Sequence, residues 1–206
     1  LVDDPLALFA LMGQHLAEPH FMGQRIEAQA LGFQDMHRDG RGEITLEDIY
    51  NNLSHPRHGS QALSDLEQRL EHAVIRPNPE VVALLTEARS AGKTIVLTSD
   101  MYLPRSFFKE LAEQHELEPD HYLISSDCNC TKRDEGALFE LLKQRLALDG
   151  SRILHIGDNP LGDVQRAQEK GLRSLQYHPP QGIHAPIAAE QVSGQLCAGL
   201  IHYEAY

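Results

Sequence analysis

Arg152-Ile-Leu-His-Ile-Gly-Asp-Asn-Pro-Leu-Gly-Asp163 decides how this chain is read. Its apolar run reads as a buried strand that ends in Gly157-Asp158. A short turn then brings a second carboxylate, Asp163, to the start of a helix. Ligand sites of open parallel sheets lie at the carboxyl ends of the strands. Two carboxylates placed there suit a hard cation such as magnesium held against a phosphate. An isolated Gly-Asp pair is an ordinary turn; the apolar run before it and the spacing to Asp163 favour the metal reading. Two more groups lie upstream. Ile95-Val-Leu-Thr-Ser99-Asp100 is another apolar run ending in a hydroxyl and a carboxylate, and Lys132 follows a third.

Working outward, strands are expected over Lys93–Thr98, His121–Ser125, Arg152–Ile156 and Leu172–Tyr177. Helices are expected over Glu80–Ser90, Pro104–His115, Asp134–Leu148 and Leu161–Lys170. Strands alternating with helices of this length imply right-handed crossovers and a parallel sheet, hence an α/β fold with a Rossmann-like core. Residues 5–75 read differently, as helix without strand-like alternation. Leu6, Phe9, Ala10 and Leu16 recur at helical spacing after Asp3, Asp4 and Pro5, and a second helix is expected over Phe21–Leu31. Thr45 caps a third with Asp48 at its third position, and Leu63, Leu66, Leu70 and Val74 mark one face of a fourth over Gln61–Val74. The segment His178–Pro186 reads as a loop, followed by a last helix from Ala188 to about Leu200.

Bulk composition excludes several functions. Acidic residues outnumber basic ones, 30 to 18, for a formal charge of −12, so nucleic acid is not the expected partner. A small phosphorylated substrate remains compatible, because a bound metal inverts the local field. No long uncharged apolar run occurs, so no membrane span is expected. Three cysteines, two of them in Cys128-Asn-Cys130, make a poor disulfide framework and fit a cytoplasmic setting. His121 alone beside those two is thin support for a metal site, and they read as ordinary loop cysteines. Asp39-Gly-Arg-Gly-Glu-Ile-Thr45 imitates a calcium loop, but His37 and Arg41 fall where oxygen ligands belong; a turn before a capped helix is the better reading. His155, inside an apolar strand, reads as a hydrogen-bonded core residue, and His20, His55 and His58 as surface residues of the helical half.

The order Ser99, Lys132, then Gly157-Asp158 with Asp163 resembles the second, third and fourth motifs of the haloacid dehalogenase superfamily. Thr98-Ser-Asp-Met-Tyr-Leu-Pro104, His155-Ile-Gly-Asp-Asn159, Ile44-Thr-Leu-Glu-Asp-Ile-Tyr50, and Thr131-Lys132 followed by Gly136-Ala-Leu-Phe139 are similar to one branch of predicted hydrolases, often found beside or fused to glycosyltransferases. The resemblance spans roughly Pro5 to Tyr177. It implies a helical cap over 1–76 inserted into an α/β core over 77–206, and a magnesium-dependent phosphatase-type hydrolase of a small phosphorylated metabolite, with a sugar phosphate suggested. Ser99 would bond a phosphoryl oxygen, and Asp100 would line the substrate site. Lys132 would neutralise developing charge. Asp158 would ligate magnesium, with Asp163 bracing either the metal shell or Lys132.

The superfamily's first motif, Asp-x-Asp on a central strand between those carrying Ser99 and Asp158, has no counterpart in the chain. It supplies the nucleophile and the acid that protonates the leaving group. Asp3 and Asp4 cannot stand in, because no apolar run precedes them. The expectation is therefore a chain that begins inside a longer polypeptide, lacks its first core strand, and is inactive alone. Two rivals remain: a non-catalytic module of this fold within a carbohydrate-assembly or glycosyltransferase protein, and a dehalogenase. Retention of both Asp158 and Asp163 weighs against the latter.

Overall fold

The computed structural model describes residues 6–178. The expected helix start at Pro5, nearly all of the loop after His178 and the helix from Ala188 lie outside them. Four helices come first: α1 (Leu6–Leu16), α2 (Phe21–Arg38), α3 (Leu46–Asn51) and α4 (Ser60–Val74). α2 runs past the expected Leu31 because Ala28, Gly32 and Met36 prolong its buried stripe at four-residue spacing. α3 begins where the sequence places it. The Asp48 N–H donates to Thr45 Oγ1 at 3.1 Å, and the Thr45 N–H donates back to Asp48 Oδ2 at 2.8 Å, a reciprocal capping box. Arg41 adds a 2.7 Å contact to the same carboxylate.

These helices close over Leu8, Met12, Phe21, Ile49, Leu63 and Leu66, all buried. Among them lies a complete ion pair. Arg25 is fully buried, meets Glu67 through two nitrogens at 2.7 and 2.9 Å, and stacks 4.4 Å from the centre of the Phe9 ring. The Tyr50 hydroxyl donates to the same carboxylate. Each polar atom has a partner, which is the condition for tolerating such a pair in a core.

The second half alternates as expected. α5 (Pro79–Ser90) leads to β1 (Val96–Ser99), α6 (Arg105–Gln114), β2 (His121–Ile124), a single turn α7 (Ser125–Cys128), and α8 (Ala137–Leu146). β3 (Leu154–Gly157), a π-helical turn over Pro160–Gln165, α9 (Arg166–Glu169) and β4 (Arg173–Gln176) complete it. β1 pairs in parallel with β2, from Val96 opposite His121 to Ser99 opposite Ile124. β3 pairs in parallel with β4, from Leu154 opposite Arg173 to Gly157 opposite Gln176. Among the described residues no ladder joins β1 to β3. Each of these strands therefore keeps one edge without a strand partner, and Leu154, Ile156 and Leu175 stand on a largely exposed face of the second pair. The architecture is α/β: a Rossmann-like parallel core carrying a helical cap.

Cap and core share one apolar cluster. Met101, Tyr102, Leu103, Phe107 and Ile124 of the strand half pack with the cap residues, while Leu123, Leu138, Phe139, Leu142, Ala167 and Leu172 form a second cluster beside β2 and β3. Among the described residues no helix is long and apolar enough to cross a membrane.

Candidate active site

Asp100, the residue after β1, is buried, and its carboxylate turns toward the loop that follows α7. It accepts the backbone N–H of Lys132 at 2.8 and 3.0 Å and that of Arg133 at 3.0 Å. Two main-chain donors on one carboxylate fix that loop to the tip of β1. From there the Lys132 amine reaches Asp163 Oδ1 at 2.5 Å, with only 12% and 5% of the two side chains exposed. His155 Nε2 meets the same oxygen at 2.8 Å, and the Asn159 N–H donates to Oδ2 at 3.1 Å. The ends of β1 and β3 and the Lys132 loop are thereby gathered into one network.

Local sequence explains this approach. A Cβ on Gly157 would lie 2.3 Å from Asp163 Cγ, so a side chain there would evict the carboxylate. Asn159 Oδ1 accepts the N–H groups of Leu161 and Gly162, turning the chain sharply out of β3. The wide π-helical turn after Pro160 replaces the first half of the regular helix expected over Leu161–Lys170, and it carries Asp163 back under the strand end. Burial opposes ionisation of Asp163, but the His155 hydrogen bond and the Lys132 charge outweigh it and hold the carboxyl well below the usual range. Burial pushes His155 down, so near neutrality it donates to Asp163 as an uncharged imidazole.

Ser99 ends β1, half-buried, one residue before the pinned Asp100. Asp158 follows β3 directly, and its carbonyl accepts the Gln176 side chain at 3.2 Å. Asp163, expected as a metal ligand or a brace, has its two oxygens on Lys132, His155 and a main-chain N–H. Asp100, read as lining the substrate site, spends its carboxylate on the Lys132 loop. Among the described residues no group of three or more His, Cys, Asp or Glu is disposed to hold a metal. Magnesium keeps several waters and takes one or two carboxylates plus substrate phosphates. Asp158 and Asp163 at the end of β3 are the carboxylates such an ion would take, and the described residues do not make a cage. His55, expected on the surface, has its side chain 1% exposed; Nδ1 accepts the N–H groups of Arg57 and His58 within its own turn. Cys128 and Cys130 are half-buried free thiols, raised above their ordinary range by burial. A cleft of about 280 Å³ between α3, α4 and the loops after β1 and β2 is lined by Glu47, Gln68, Tyr102 and Ser126, and includes none of the strand-tip residues.

The sequence model of haloacid dehalogenase-like hydrolases matches residues 16–169, three-quarters of the chain, from the end of α1 to the end of α9. The chain belongs to this family. Among solved structures, the L-2-haloacid dehalogenase from Xanthobacter autotrophicus, with chloropropionic acid covalently bound, aligns over 96% of this chain and 80% of its own at a TM-score of 0.59 and 15% identity. The 2-haloacid dehalogenase from Pseudomonas syringae pv. tomato aligns over 90% and 84% at 0.58 and 21% identity. A family enzyme from Bacteroides thetaiotaomicron aligns over 77% and 87% at 0.50 and 15% identity. At such identities these likenesses show the fold. No curated protein sequence matches the chain. Within this haloacid dehalogenase-like hydrolase, three residues outside the expected motifs tie cap to site: Glu43, Ser125 and Arg133. Their only signal was the adjacency of Arg133 to Lys132.

Proposed function

We propose that this hydrolase removes phosphate from a small phosphorylated metabolite, and that its strand tips form the phosphate site. The observation that carries the reading is the Lys132–Asp163 pair, held by His155 and by Asp100, the residue that follows Ser99 at the end of β1. A lysine fixed at a crowded strand tip is a preorganised cation for a phosphoryl group, and it needs no reorientation as charge develops. Ser99 would donate to a phosphoryl oxygen. Asp163 would keep Lys132 charged and aimed, and His155 would keep Asp163 in place.

Magnesium belongs in this reading at Asp158, where it would neutralise phosphoryl oxygens. Asp163 would brace the metal shell as well as Lys132. The nucleophile would be an aspartate encoded upstream of Leu1, on a strand between the edges of β1 and β3, forming an aspartyl-phosphate that water cleaves. A sugar phosphate, a cytoplasmic setting and a linked glycosyltransferase domain complete the proposal and rest on the branch resemblance. So does the rival, a non-catalytic module of such an assembly, which an upstream sequence without an aspartate at a strand end would favour.

Hydrolytic dehalogenation is the second reading. What favours it is that the fold is similar to that of 2-haloacid dehalogenases. The test is parallel assay of the chain extended upstream, against a phosphomonoester panel and a 2-haloacid panel, with and without magnesium. Magnesium-dependent phosphate release supports the leading reading. Halide release without phosphate release transfers the site to the second, and neither product leaves the non-catalytic module.

A further inference from the structure

Glu43 lies on the segment between α2 and α3, far in sequence from the strand tips, yet it is 3% exposed and points into the core. Its carboxylate accepts the Ser125 hydroxyl at 2.8 Å and one Arg133 nitrogen at 3.1 and 3.2 Å, and its own neighbour Ile44 N–H at 3.0 Å. Ser125, fully buried at the end of β2, accepts the Met101 N–H at 2.7 Å. Met101 follows Asp100, and Arg133 follows Lys132. One cap carboxylate therefore holds the residues flanking both halves of the Asp100–Lys132 clasp. Asn129, in left-handed backbone, receives the N–H groups of Gly42 and Glu43 at 2.9 and 3.3 Å, and a Cβ on Gly42 would lie 2.3 Å from the Asn129 carbonyl oxygen. The segment is seated with no room to slide.

Cohesion does not require a charge here. Ile44, Leu46, Tyr102 and Leu103 already make the seam apolar, and a well-packed apolar residue holds such a seam as firmly as a buried ion pair. What an ion pair adds is direction. We infer that Glu43 is a positioning residue: through Arg133 and Ser125 it sets where the Lys132 amine stands relative to Ser99. The inference rests on the hydrolase reading for its catalytic consequence, but its geometric content does not.

The test uses the full-length natural protein with Glu43→Gln, and Arg133→Met as a second variant on a side chain that is partly exposed. Four quantities are read: kcat and KM on the best substrate, thermal midpoint, and hydrogen exchange at the Lys132 and Arg133 amides. The expected result is a kcat about 10- to 100-fold lower with KM within about threefold, the cost of a small misplacement. Exchange at the two loop amides should accelerate at least about tenfold, while amides of α2 keep their wild-type rates. Arg133→Lys should recover part of kcat, and Arg133→Met should not. A lowered midpoint with faster exchange throughout the cap and an unchanged kcat per folded molecule would overturn the inference. So would wild-type exchange at Lys132 and Arg133 in both variants. If the wild type turns over no substrate, the hydrolase reading fails, and the exchange arm alone still decides whether Glu43 orders the loop.

Discussion

Lys132 is a surface lysine by default, and three neighbours make it something else. Asp100 fixes its backbone, Asp163 its amine, and His155 the carboxylate that receives that amine. Replacing Lys132 by Ala should cut kcat by about 10²–10³-fold, the loss seen when one preorganised electrostatic group is removed, and should lower the thermal midpoint as well, because Asp163 keeps a buried charge without its partner. A Gly157→Ala change acts through packing, because its methyl must displace Asp163. It should cost about 1–3 kcal/mol in denaturant unfolding and weaken activity too. The residues of this cluster were legible where they were contiguous: His155, Gly157, Asp158 and Asp163 share one twelve-residue stretch. Glu43 was not, because its partners Ser125 and Arg133 stand 82 and 90 positions away, and no local pattern reports a contact of that range.

The elements followed local chemistry closely where a cap or a periodic face defines them. α3 starts at its Thr45 cap, and α4 follows Leu63, Leu66 and Leu70. Thr45→Ala should destabilise the protein by about 1 kcal/mol in urea titration. Burial opposes ionisation of Asp48, yet Arg41 and Thr45 hold its carboxyl below the usual range. Because the folded value is depressed, its contribution is fully present above the ordinary aspartate range and is lost as pH falls through the folded value. Asp48→Asn should therefore flatten the acid side of the stability profile below about pH 4, with little change in its slope at neutral pH. The strands are shorter than their sequence runs suggest, four residues each. The charged Lys93 and Arg152 stand before the apolar runs and outside the ladders, which cover Val96–Ser99 with His121–Ile124 and Leu154–Gly157 with Arg173–Gln176.

At the scale of the molecule, the cap is joined to the core by a shared apolar cluster and by the buried Glu43–Arg133 pair, while the Arg25–Glu67 pair ties α2 to α4 inside the cap. Glu67→Ala should cost about 3–5 kcal/mol, because Arg25 would remain charged in the interior, and calorimetry should show cap and core melting together. The division into helical and alternating halves could be read from periodicity alone. That the two halves share a core could not, since Met101, Tyr102 and Leu103 follow a strand and carry no helical period. The most direct test of a phosphate site at the strand tips is a crystal structure of the upstream-extended chain soaked with orthovanadate. The anion should lie against the Ser99 hydroxyl and the Lys132 amine, beside Asp158. Vanadate bound elsewhere, such as the cleft lined by Glu47 and Gln68, with the strand tips empty, would contradict it.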